Sequence, residues 1–188
     1  MAHFFVALHK TLLNVPVYIS SCFVWSPRIA LIFGSSIYFM NSEMRIVNKE
    51  ELSTLAAEVL ALAKGAAHAG ATVIALHGDL GAGKTTFVQT LGQLLGVSEQ
   101  ITSPTFTIMK GYETTDDTFA TLIHMDAYRI DDISELGPLR FSEILNTPNT
   151  LVCIEWAEKI KDALPAGVIN LTLEVADETT RTATLSSS

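Results

Sequence analysis

The stretch GDLGAGKT, Gly78 to Thr85, constrains this chain more than any other part of it. It satisfies G-x-x-x-x-G-K-[ST] in full, follows the β-branched run ATVIALH, and passes directly into a helical pattern from Lys84 to about Leu95. A buried strand, a glycine-rich turn and a helix N-terminus in that order form a cradle for phosphate. The glycines let backbone N–H groups approach the anion, and the helix start adds favourable electrostatics. Lys84 is expected to reach the β and γ phosphates, Thr85 to place its hydroxyl on Mg²⁺, and Thr86 to offer a further donor. A glycine-rich turn that merely carries a lysine is the bland alternative, and the flanking strand and helix argue against it.

The surrounding pattern predicts the rest of the fold. From Leu52 the apolar positions Leu55, Ala56, Val59, Leu60 and Ala63 keep helical spacing, and Asn48 with Glu51 three residues on has the form of a capping box. NKEE at this place has Glu where the guanine-reading N-K-x-D element needs Asp, and it precedes the phosphate loop, so guanine specificity is rejected. PTFTIMKGYE and FATLIHMDAY read as two strands of an antiparallel pair, because the polar link between them is too short for a crossover helix. DISELGPLRFSEIL is helical but broken at Gly137 and Pro138, TLVCIEW is a short buried strand, and AEKIKDALP is one more helix ended by Pro165. VINLTLEVA and TRTATLS close the chain as two strands across DETT. Strands alternating with helices around a phosphate loop predict a three-layer α/β P-loop NTPase fold whose mixed sheet includes antiparallel hairpins.

With 188 residues, 48% of them hydrophobic, the chain suits one domain with a sizeable core. Its 12 basic and 20 acidic side chains give a formal net charge of -8, which argues against a surface that grips nucleic acid by broad phosphate neutralisation. Cys22 and Cys153 lie far apart without C-x-x-C spacing, so two buried thiols in a reducing cytoplasm are expected, not a disulfide or zinc site. Residues 1–43 differ from the remainder: Lys10, Arg28 and Glu43 are their only charged side chains. Pro27 and Arg28 interrupt the one window long enough for a membrane span, and the segment lacks the shape of a secretory signal. The expectation is a wrongly assigned start, with Met44 opening a domain over residues 44–188.

A magnesium ion held by one threonine needs further oxygen ligands, or carboxylates that orient its waters. Asp126 in HMDAYR and Glu155 in VCIEW both end apolar runs. Each is therefore placed at the C-terminal end of a strand, where ligands sit in open α/β sheets. Glu155 fits metal binding, water binding or polarisation of an attacking water, and spacing does not separate these. Thr105 in TSPTFT occupies the region where nucleotide switches carry a hydroxyl that senses the γ phosphate, or else a plain Ser-Pro turn. Trp156 is read as a core residue in preference to a nucleotide stacker. Arg129 is read as a partner for Asp126 or phosphate, and His124 as a strand residue in preference to a metal ligand.

GDLGAGKTTF, SPTFTI, HMDAYR and IEWAE, in this order and at these separations, resemble the TsaE family over about residues 44 to 185. The resemblance implies a small cytoplasmic ATPase needed to form the threonylcarbamoyl group on the adenosine next to the anticodon of tRNAs that read codons beginning with A. It implies TsaD and TsaB as partners, with tRNA met through them and hydrolysis resetting the complex. Carried over by motif, Gly81, Ala82, Gly83, Lys84, Thr85 and Thr86 would bind ATP. Thr85 and Glu155 would hold Mg²⁺, and Lys84, Asp126 and Glu155 would form the catalytic set. Thr105 would belong to a switch-like loop, and Ser53 and Arg181 are weaker candidates for nucleotide contact. Two other functions share the loop. A small-molecule kinase would need more cationic groups than Arg45, Arg129, Arg140 and Arg181 supply. A nucleotide-dependent adaptor would bind ATP with hydrolysis incidental.

Overall fold

The computed structural model describes residues 30–33, 36–39, 42–46, 48–66 and 69–187. A seven-stranded sheet forms its centre, in the order β3-β9-β8-β4-β7-β6-β5. The strands are β3 (Ser42–Ile46), β4 (Thr72–His77), β5 (Met109–Glu113), β6 (Thr121–Asp126), β7 (Thr150–Glu155), β8 (Ile169–Val175) and β9 (Arg181–Ser187). Two further strands, β1 (Ala30–Phe33) and β2 (Ser36–Phe39), pair with each other in a small antiparallel sheet. In the main sheet β4, β6, β7 and β8 run parallel, while β5, β9 and β3 add antiparallel pairs at the two edges. The mixed three-layer architecture expected from the pattern is therefore present. Most of the expectation for residues 1–43 lies outside the described residues. Within them, β3 crosses position 44 while paired to β9.

Strand alternation splits the core in two. Ile74 and Leu76 of β4, Leu151 and Cys153 of β7 and Leu122 of β6 pack with α1 (Lys49–Gly65) and α2 (Lys84–Leu94) on one face. Val73, Ala75, Val152, Ile154 and Met125 face the opposite way, against Leu136, Phe141, Ala157 and Ile160. Successive side chains of a strand point to opposite faces, so these two sets are what full burial of β4 and β7 requires. Cys153 is fully buried, and burial pushes its thiol pKa well up, so it stays a protonated core group.

Local chemistry explains the element ends. At α1 the Asn48 side chain accepts the Glu51 N–H at 2.9 Å while the Glu51 carboxylate accepts the Asn48 N–H at 3.2 Å, the reciprocal capping box expected from the sequence. The broken helical stretch resolves into a 3₁₀ turn, Ile133–Leu136, and a short helix α3, Phe141–Leu145. Two expectations need correction. Pro104 to Thr107 is a turn closed by the Thr107 N–H on the Pro104 carbonyl, and the strand begins only at Met109. AEKIKDA is 3₁₀ in character, Ala157–Ala163, with a kink at Ile160; it follows the left-handed Trp156 and buries Ala157 and Ile160 in the second core.

Gly78 closes β4 with φ of +127°, and a Cβ there would stand 2.0 Å from the Leu173 carbonyl oxygen. Backbone strain and steric overlap both oppose a side chain, so Gly78→Ala is expected to cost about 3 kcal/mol or more. Urea unfolding should show a lower midpoint with an unchanged slope.

Candidate functional site

The loop between β4 and α2 opens a cleft of about 680 Å³ above the C-terminal ends of the parallel strands. Gly81, Gly83, Lys84, Thr85 and Thr86 line it from the loop side, and Asp126, Glu155 and Trp156 from the sheet side. Ala82 is buried beneath the loop, and Gly83, at φ of +103°, turns the chain into α2. Lys84 folds back so that its ammonium donates to the Gly78 and Asp79 carbonyls at 2.5 and 3.0 Å, with the Trp156 ring centroid 4.1 Å away. Burial lowers the Lys84 pKa, and the carboxylates of Glu155, Glu158, Asp126 and Asp79 oppose that shift. Lys84 is thus a desolvated cation held over the loop, ready to meet an anionic ligand.

Register brings the two carboxylates to this point. Asp126 pairs with Glu155, and Glu155 with Leu76, so the ends of β6, β7 and β4 fall in line. His124, Asp126, Cys153 and Glu155 share the face that carries α2, by the same alternation that sorts the core. The Thr85 hydroxyl donates to Glu155 Oε1 at 2.7 Å, and the same oxygen takes a 2.8 Å hydrogen bond from His124 Nε2. Asp126 accepts the Thr105 hydroxyl at 2.6 Å and the Tyr128 N–H at 3.0 Å. Hydroxyl and carboxylate oxygens are hard donors that suit Mg²⁺, which is commonly held by one or two carboxylates or hydroxyls and a substrate phosphate. Among the described residues no group of three or more His, Cys, Asp or Glu side chains is arranged as an all-protein metal cage.

The rim holds the remaining candidates. Thr105 stands between Ser103, whose hydroxyl is 2.6 Å away, and Asp126. Arg129 does not pair with Asp126. Its guanidinium lies 4.7 Å from the ring centroid of Phe106, a side chain 85% exposed. Trp156 departs from its expected core role: one side packs against the second core, while the other lines the cleft beside Tyr128, with ring centroids 5.3 Å apart. Arg181 opens β9, just after the turn from β8, and reaches the Gly81 carbonyl at 3.4 Å. Ser53, on α1, does not line the cleft.

A family model described as "Threonylcarbamoyl adenosine biosynthesis protein TsaE" matches residues 46–183. The chain belongs to the TsaE family. Proteins named tRNA threonylcarbamoyladenosine biosynthesis protein TsaE are similar to it. That of Bacillus subtilis (strain 168) is 37% identical over 137 residues, covering 73% of this chain and 80% of its own. That of Aquifex aeolicus (strain VF5) is 37% identical over 141 residues, covering 74% and 91%. The crystal structure of Bacillus subtilis YdiB superposes with a TM-score of 0.61 at 29% identity, over 79% of this chain and 86% of that one. Among the described residues of this TsaE family member, no helix is long and apolar enough to cross a membrane.

His124 is the site residue that sequence reasoning passed over. Its signal was present in IHMD, since a residue two before Asp126 on one strand shares its face and lies directly inward of it. The Arg181 position depends in turn on Asp177, whose carboxylate caps the turn by accepting N–H groups of Thr179 and Thr180 at 2.9 and 2.8 Å. These bonds, that from the Thr179 backbone foremost, lower the Asp177 pKa to about 2. A depressed carboxylate contributes stability above its unfolded pKa and loses it as pH falls through the folded value. The melting temperature of Asp177→Ala should therefore lie below that of the wild type near neutral pH, and the gap should narrow as pH falls from about 4 to about 2.

Proposed function

We propose that this chain is the ATP-binding and ATP-hydrolysing component required to form the threonylcarbamoyl group on the adenosine next to the anticodon of tRNAs that read codons beginning with A. The observation that carries the reading is the Thr85–Glu155 hydrogen bond of 2.7 Å, which ties the helix opened by the phosphate loop to the end of a neighbouring strand. That contact puts a hydroxyl, a carboxylate and a buried lysine on one cleft, the donor set an Mg²⁺-bound triphosphate requires. The family membership supplies the pathway, and the names of the relatives carry the same tRNA modification.

In this reading Gly81, Ala82, Gly83, Lys84, Thr85 and Thr86 bind the phosphates of ATP. Thr85 and Glu155 hold Mg²⁺, which when bound neutralises charge on the β and γ phosphates. Lys84 leaves the Gly78 and Asp79 carbonyls for phosphate oxygen, exchanging neutral acceptors for an anion. Asp126 keeps the Thr105 hydroxyl at the γ-phosphate end, and Glu155 orients water for attack. Residues 44–188 are the working unit, and its place is the cytoplasm. TsaB and TsaD are its protein partners. An excess of acidic over basic side chains makes the chain a poor grip for tRNA, so tRNA is met through those partners. The scarcity of cationic groups around the cleft weighs against transfer of a phosphoryl group to a metabolite.

Multiple-turnover modification of tRNA, reconstituted with the partner enzymes, tests the proposal. Lys84→Ala should weaken ATP binding by roughly 30- to 150-fold, the loss expected when a charge-assisted hydrogen bond of about 2–3 kcal/mol disappears. Glu155→Ala should retain ATP, measured by equilibrium binding, but lose about a hundredfold or more in hydrolysis and fail in repeated turnover. Normal turnover with Glu155→Ala would point to an adaptor, and phosphorylation of a metabolite in a substrate screen would point to a kinase.

A further inference from the structure

His124 has no solvent exposure, and among the described residues its Nδ1 has no hydrogen-bond partner. A buried polar atom without a partner opposes folding, so a histidine in this apolar layer needs a reason that packing does not provide. Its neighbours on the same face, Leu122 and Cys153, are satisfied by apolar contact, and a leucine there would leave no orphaned nitrogen. Among the described residues the ring makes one polar contact, from Nε2 to Glu155 Oε1 at 2.8 Å. An ionised carboxylate accepts only, so Nε2 carries the proton and donates it. A role as a metal ligand does not fit, since Nε2 is engaged and the ring lies wholly beneath the cleft floor.

The geometry points to His124 as a positioning residue: its Nε2–H bond fixes the Glu155 carboxylate, and Glu155 in turn accepts the hydrogen bond of the Thr85 hydroxyl and leaves that oxygen's lone pairs for the cleft. A hydroxyl is a rotor with one proton and two lone pairs. With its proton committed to Glu155 Oε1 at 2.7 Å, the Thr85 oxygen can donate electron density only elsewhere, and Thr85 lines the cleft. Without His124 the carboxylate would have one fewer fixed bond, and the hydroxyl bonded to it would be held less firmly. Partners that orient a metal ligand in this way typically govern metal affinity by 10- to 100-fold. The inference rests on the metal site of the proposed function, and it adds to that site the group that holds it in register.

The test measures Mn²⁺ uptake by electron paramagnetic resonance on the full chain, with a non-hydrolysable ATP analogue present, for wild type, His124→Leu and His124→Gln. His124→Leu should weaken Mn²⁺ binding about tenfold or more. Affinity for the analogue without metal should stay within about twofold, as expected when only the metal ligand's orientation is lost. His124→Gln, whose amide N–H can reach toward Oε1, should recover most of the loss. If His124→Leu does not fold, His124→Asn takes its place, being too short to reach Glu155, with the same loss expected. Mn²⁺ uptake equal to wild type in the leucine or asparagine variant would overturn the inference and leave the metal site standing. A parallel fall in metal binding, metal-free nucleotide binding and melting temperature would also overturn it, since that is the signature of a structural role. Wild-type protein that takes up no Mn²⁺ with the analogue would overturn both this inference and the metal site beneath it.

Discussion

Parallel pairing of β4 with β7 and of β7 with β6 is the constraint on which the site depends. It sets Leu76 beside Glu155 and Glu155 beside Asp126, so three strands end together and the loop after β4 opens over two carboxylates. Side chains alternate along a strand, so a slip of one residue in β7 would turn Glu155 away from α2 and bring Ile154 to the cleft floor. The apolar sets of the two cores guard against that slip. Leu151 and Cys153 belong to the layer under α1 and α2, and Val152 and Ile154 to the layer over Ala157 and Ile160. The packing that stabilises the sheet therefore also fixes the chemistry at its end.

The same burial concentrates polar cost at one place. Lys84 at the start of α2 is buried, and so are His124, Asp126 and Glu155 in a sheet whose other central residues are mostly apolar. Each charged group has a specific neighbour: carbonyls and an indole face for Lys84, a threonine hydroxyl for each carboxylate, and His124 for Glu155. Buried polar groups are tolerated when they are hydrogen-bonded, and their partners then hold them in one geometry. Pre-organisation of this kind holds the two carboxylates ready for a cation, while Lys84 has only to exchange its two carbonyls for an anion.

Elements defined by local chemistry were legible in the sequence. The capping box of α1, the glycine loop, the strand ends at Asp126 and Glu155 and the closing hairpin all follow from residues a few positions apart. What escaped was non-local. Pairing of β3 with β9 joins the first and last strands of the main sheet in chain order, and no periodicity in a five-residue strand announces its partner. Of the two partners read for Arg129, Asp126 or phosphate, the first is taken in the fold by Thr105 and Tyr128, and the guanidinium lies over the Phe106 ring. His124 looked like an ordinary strand residue because the oxygen that justifies it comes from position 155 on a different strand.

Two left-handed residues show how the chain turns at the site without losing the sheet. Ile108, at φ of +65°, ends the loop that carries Thr105, and Trp156, at φ of +58°, follows Glu155 directly. For side chains of this size such a conformation costs about 1–2 kcal/mol each. In both cases sheet-like hydrogen bonding continues at the turn: the Asp126 N–H donates to the Ile108 carbonyl at 2.8 Å, and the Trp156 N–H to the Leu76 carbonyl at 3.1 Å. A net gain of about 1 kcal/mol per bond offsets much of the strain. The turn at Trp156 swings the indole back over Lys84, while the turn at Ile108 holds the Thr105 loop against Asp126. The backbone is thus strained at the two points where an ordinary strand ending would have carried the chain away from the cleft.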